Sequence, residues 1–136
     1  MSFRDIVSSN SYIKMDADMG FLANLNIYKN LIDKSIIPLT QNLIKYDELI
    51  DESMDEKLLK LTWKMDAFDH SIQLNSNNSH LDDKIFTFIN EILAHNKAKK
   101  RLIPFKEDGQ GTDFYLGFFT ASDGKKIANL SSIELL

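Results

Sequence analysis

Histidine, clustered carboxylates and a glycine pair are the residues here with types and spacing suited to chemistry. The histidines are His70, His80 and His95. Asp66 and His70 lie four apart, which on a helix puts them on one face as an acid–base dyad, a metal pair or a plain ion pair. No HExxH pair and no Gly-x-Ser-x-Gly elbow occurs. Cysteine is absent, so thiolate zinc sites, disulfides and cysteine nucleophiles are excluded. Asp108-Gly109-Gln110-Gly111-Thr112-Asp113 is the glycine-rich stretch. It lacks the Gly-Lys-Ser/Thr element of a phosphate loop, and a hairpin turn explains its glycines better. Glu107, Asp108 and Asp113 carry enough oxygen for a hard cation, but without the alternating ligands and closing Glu of an EF-hand they read as solvated turn acids. Asp16-Ala17-Asp18 fails in the same way.

The densest charge feature is Asp47, Glu48, Asp51, Glu52, Asp55 and Glu56, six acids in ten residues with no base among them. Asp55 and Glu56 suit a helix start. Asp47, Glu48, Asp51 and Glu52 would sit unfavourably at a helix end, and they read equally as a solvated corner or as a surface that attracts a basic partner. The basic run Lys97, Lys99, Lys100, Arg101 fits a helix C-terminus.

Elements must position these groups. From about Gly20, Phe21, Leu25, Tyr28, Leu31 and Ile32 recur at helical spacing, and Pro38 should end or kink that helix. Pro38 then opens a second helix through Leu39, Leu43, Ile44, Tyr46 and Ile50. Ser53 with Glu56 makes a capping box for a third helix over about 54–74. Its apolar stripes are Met54, Leu58, Leu61, Met65, Phe68, Ile72 and, roughly opposite, Leu59, Trp63, Ala67, Leu74. A helix apolar on two sides is sandwiched or lends one side to a partner, so Trp63 is either a second core layer or a binding anchor. Ser76-Asn77-Asn78-Ser79 is a loop, and Ser79 caps a fourth helix buried through Leu81, Ile85, Phe88, Ile89 and Ile92.

Residues 1 to about 18 are ambiguous: Ser8-Ser9-Asn10-Ser11 looks like a turn, and Tyr12 to Met15 is open to a short strand before the Asp16-Ala17-Asp18 turn. Arg101–Lys106 is a strand that Pro104 confines to an edge. After the glycine turn, Phe114–Thr120 forms its hairpin partner. Ser122-Asp123-Gly124 is a turn or cap, and the spacing of Ile127, Leu130 and Ile133 favours a short helix. The expected fold is therefore α+β: four main helices, then a short antiparallel β-hairpin and a C-terminal helical segment, in a single domain over 1–136.

The 136 residues total 15.6 kDa, enough for one domain. Apolar residues make up 43% and charged residues 26%, which excludes disordered and fibrous classes. No apolar run reaches the ~18 residues of a membrane span, and Met1-Ser2-Phe3-Arg4-Asp5 lacks a secretory core. The net charge of −4 and pI near 5.3 argue against direct nucleic-acid binding. Abundant Ile, Lys and Asn with scarce Ala, Gly, Pro and Arg match AT-rich coding, as in bacteria and phage.

A small, acidic, cysteine-free chain with no catalytic constellation resembles the immunity proteins of bacterial toxin systems, including the contact-dependent growth inhibition group. The resemblance lies in size, charge and texture along the whole chain. It implies a cytoplasmic, non-enzymatic protein, without cofactor or metal, that blocks a cognate toxin, often a basic nuclease. The partner-binding residues are then Asp47, Glu48, Asp51, Glu52, Asp55, Glu56 and Trp63. The alternatives are a helical adaptor or regulator, and a small metal-dependent enzyme built on the hairpin turn.

Overall fold

A computed structural model describes residues 2–16, 27–54, 58–75 and 81–136. The described residues hold seven strands in two antiparallel sheets, with only short helices. This overturns the expected four-helix architecture. One sheet has the order β1-β6-β5-β7: β1 Tyr12–Asp16, β5 Lys100–Glu107, β6 Asp113–Thr120 and β7 Ile133–Leu135. The other is a meander of β2 Glu48–Ser53, β3 Leu58–Met65 and β4 Phe68–Asn75.

The largest correction is at 54–74, expected as one helix and found as the β3–β4 hairpin. Its apolar residues satisfy two periods at once. Leu59, Leu61, Trp63 and Met65 alternate, as do Phe68, His70, Ile72 and Leu74, and this period of two is the one the backbone follows. The register joins Leu59 to Leu74, Leu61 to Ile72, Trp63 to His70 and Met65 to Phe68, so both sets share one face. Asp66, at φ 48°, makes the tight turn in the left-handed region without a glycine. Ser53 belongs to β2 rather than capping a helix.

The helix expected from Gly20 is seen as α1 (Ile27–Leu31), a π-helical turn (Ile32–Ile36) and α2 (Ile37–Leu39). The widened turn bonds the Ile37 N–H to the Ile32 carbonyl just before Pro38. Pro38 therefore enters without breaking the helix at once. The second helix expected over 38–51 does not form. Gln41 (φ 57°) and Asn42 (φ 60°) both turn left-handed, and the chain leaves as a loop into β2. The fourth helix is α3, Lys84–His95. Phe21, Leu25, Asp55, Glu56, the 76–79 loop with Ser79, His80 and the Ala17-Asp18 turn lie outside the described residues.

The β5–β6 hairpin is present, with Gly109 (φ 86°) and Gly111 (φ 65°) in its turn. Pro104, expected to force an edge position, lies instead in an interior strand. Its carbonyl accepts from Leu136 on the β7 side, so its missing N–H faces the same way, where the three-residue β7 ends. The C-terminal helix α4 spans Ala121–Ala128, and the Thr120 side chain caps it by accepting from the Asp123 N–H at 3.2 Å. Ile133, expected in that helix, starts β7.

Two cores result. The larger places α3 between β4 of one sheet and β5 of the other, around Trp63, Phe88, Ile92, Leu102 and Leu116. The smaller lies on the far face of the first sheet, where Phe3 packs with Phe105, Phe119 and Ile127. Arg4 fastens that N-terminal turn through two bonds to the Glu107 carboxylate at 3.1 and 3.0 Å.

Candidate protein-binding edge

The acids fall on an edge strand rather than a helix end. Pleating splits them between two faces. Glu48 and Glu52 point outward, and register sets them opposite Lys64 and Lys60 of β3. The bases missing from the acidic run are thus supplied by the neighbouring strand, an arrangement that favours sheet pairing. Asp47 lies just before β2. Its N–H donates to the Lys64 carbonyl at 2.7 Å, and its Oδ2 accepts from the Asp66 N–H at 2.8 Å. That bond ties the β3–β4 turn to the start of β2. Asp47, Glu48, Asp66 and Asp69 gather there, with Lys64 between the strands. Asp47, Glu48 and Glu52 are exposed.

Asp51 differs. It faces inward opposite Leu61, half-buried, and its Oδ2 has no hydrogen-bond partner among the described residues. Burial pushes its carboxyl above the usual carboxylate range, against the pull of Lys29. It suits steering of a partner less than its exposed neighbours do.

Trp63 is fully buried. Tyr46 meets its indole edge-on, 5.2 Å between centroids, and its strand neighbours are Leu49 and His70. A side chain enclosed in this way is a core residue and offers a partner no surface. Its Nε1 lacks a hydrogen-bond partner among the described residues.

Asp66 and His70 do not form the dyad their spacing allowed, because a turn and a strand replace the helix. His70 Nε2 instead contacts Glu91 Oε2 of α3. The His70 ring stacks on Phe88 at 5.1 Å, and Phe68 lies flat between His70 (5.6 Å) and His95 (3.8 Å). Glu91 is 21 residues from His70, so no sequence spacing could have signalled the pair.

Two of the three hairpin acids are engaged. Glu107 holds Arg4, and Asp113 meets Lys14 at 3.3 Å. No group of three or more metal-ligating side chains occurs among the described residues. In the basic run, the Arg101 guanidinium donates to the carbonyls of Ala98 (2.6 Å) and Lys100 (2.8 Å), anchoring the exit from α3. Asp82 is buried and structural: its carboxylate accepts from the N–H groups of Asn75 and Lys84, while Tyr28 donates to the Asn75 carbonyl. Among the described residues, no helix is long and apolar enough to cross a membrane.

No family model, curated protein or solved structure matches the chain.

Proposed function

We propose that this chain is a protein-binding module that neutralises a basic toxin domain by one-to-one contact, in the cytoplasm and without turnover of its own. The observation that supports this reading is the exposed acidic edge, Asp47, Glu48 and Glu52 along β2, continued at its corner by Asp66 and Asp69. Lys60 and Lys64 balance only part of that charge, so a negative field remains to steer a basic partner. The anchoring contacts come from this edge and not from Trp63. A helical adaptor is a weaker reading, since the edge is built of strands.

The test is kinetic and uses the protein encoded beside this chain as the partner. Complex formation should be one-to-one and fastest at low salt. Replacing Asp47, Glu48 and Glu52 with Asn, Gln and Gln should slow association at least tenfold at low ionic strength, with the thermal melt lowered only slightly, since each exposed cross-strand pair is worth ~0.2–1 kcal/mol and Asn keeps an acceptor for the Asp66 N–H. The absence of a complex, or an unchanged association rate, would contradict the reading.

A further inference from the structure

We infer that the outer edge of β4, which pairs with no strand among the described residues, receives an extended peptide strand of a partner protein, seated against α3, with an acid, an apolar residue and a base at alternate positions. This surface is separate from the acidic β2 edge, and the inference does not depend on it.

Backbone direction comes first. The hairpin register bonds His70 to Trp63 and Ile72 to Leu61, so the alternate residues Asp69, Ser71, Gln73 and Asn75 turn their N–H and C=O groups outward. Asn75 confirms the direction: its N–H goes to Asp82 and its carbonyl to Tyr28, both outside the sheet. The outward backbone groups of Asp69, Ser71 and Gln73 have no partner among the described residues. Unpaired ladder groups of this kind are a template for another strand. Edges are usually guarded by charge, as β2 is by its acids, but His70–Gln73 includes no Asp, Glu, Lys or Arg.

The edge borders a shaped groove. A concavity of about 330 Å³ is lined by Ser71, Ile72, Lys84, Thr87, Phe88 and Glu91. The four α3 residues recur at three and four positions, one face of the helix. Half-buried Ile72, backed by the buried Phe88, forms an apolar floor, with Lys84 at one end and Glu91 at the other. Glu91 is 57% exposed and contacts His70 through one oxygen only.

These positions define the occupant. All pairs in this meander are antiparallel, and antiparallel addition is the more stable. α3 starts near Asn75 and runs back toward Phe68, as the Asp82 and His95 contacts require. In an antiparallel peptide, side chains opposite Leu74, Ile72 and His70 face α3. The first meets Lys84 and is acidic, the second covers Ile72 and is apolar, and the third meets Glu91 and is basic. Lys84 and Glu91 are about 10 Å apart along the helix, against about 14 Å between the peptide's first and fifth residues. Long charged side chains span that difference.

The probe is an acetylated, amidated peptide, Thr-Glu-Thr-Leu-Thr-Lys-Thr, titrated into isotope-labelled protein and read by amide resonances. Saturable shifts at Ser71 and Gln73 are expected. N-methylating the threonines on either side of the leucine removes N–H groups that face β4, and should weaken binding at least tenfold. N-methylating the leucine, whose N–H faces away, should leave binding within threefold. Ser71→Pro should also abolish binding while the fold persists, because proline is tolerated where an edge N–H faces solvent. Lys84→Glu should weaken this peptide and favour one in which Lys replaces its Glu, with the Lys opposite Glu91 kept. No saturable shift at millimolar peptide, or equal loss from every N-methylation, would overturn the inference.

Discussion

Truncating Trp63 tests whether the 58–75 segment is a core hairpin. The indole is fully buried between the inner face of its sheet and Tyr46. A tryptophan buries up to about 250 Å², worth about 6 kcal/mol at ~25 cal/mol per Å², and observed losses on truncation to Ala run about 3–5 kcal/mol. Against a total of roughly 5–15 kcal/mol for a domain, Trp63→Ala should leave the protein marginal. Trp63→Phe should behave differently. It keeps most of the ring contact and removes an Nε1–H that has no partner among the described residues, a group whose burial costs about 1–3 kcal/mol. The two terms oppose, so the net change for Trp63→Phe should be within about 1 kcal/mol. Urea unfolding followed by far-ultraviolet circular dichroism measures both variants. Parent-like stability for Trp63→Ala would refute the buried hairpin. Equal losses for both variants would refute the role given to the orphan N–H.

Three further outcomes follow from other sites. Burial raises the Asp51 carboxyl, so the folded chain binds that proton more tightly than the unfolded chain does. Its ionised form therefore weakens the fold above the folded pKa, and the penalty disappears below the unfolded value of about 4. Asp51→Asn should raise the melting temperature at pH 7 but not at pH 3; an equal gain at both would be contrary. Tyr28 is pushed up to about 12, first by burial and then by the charges of Asp82 and Asp51, and Tyr46 to about 12 by burial and its bond to Asp33. Their stabilisation is complete below about pH 10 and is lost as pH rises to about 12, so absorbance at 295 nm should show a late phase that shrinks in Tyr46→Phe. Gly117→Ala would set a Cβ 2.1 Å from the buried Phe119 ring, and the forced shift should cost about 1–3 kcal/mol in denaturant unfolding.

The parts legible in the sequence are those with local signals. The Asp108–Gly111 turn and the aromatic strand after it are marked by glycine and by β-propensity, whereas the strand at Tyr12 lies in a stretch whose local signals are ambiguous. The face of α3 is marked by its helical spacing. The 54–74 segment misled because Leu, Met and Phe at three- and four-residue spacing also alternate, and its turn at Asp66 has no glycine or asparagine to announce it. The helix expected after Pro38 failed because Gln41 and Asn42 adopt left-handed backbone, which neither residue type requires. For the site, the acids were legible as a cluster. Their division by pleating was not, because it depends on strand register: Glu48 and Glu52 face outward toward lysines, and Asp51 faces inward. The Glu91 partner of His70 and the open edge at Ser71 arise only from tertiary assembly.

The proposed binding edge is tested most directly by amide hydrogen exchange on the complex with the protein encoded beside this chain. The Leu49 and Asp51 N–H groups point away from β3, to the side of β2 with no strand partner among the described residues, since Glu48, Ile50 and Glu52 face β3. Slowed exchange concentrated at 47–53 and at the Asp66 turn is the expected result. Protection elsewhere, with these amides exchanging as in the free protein, would contradict the acidic edge as the binding surface.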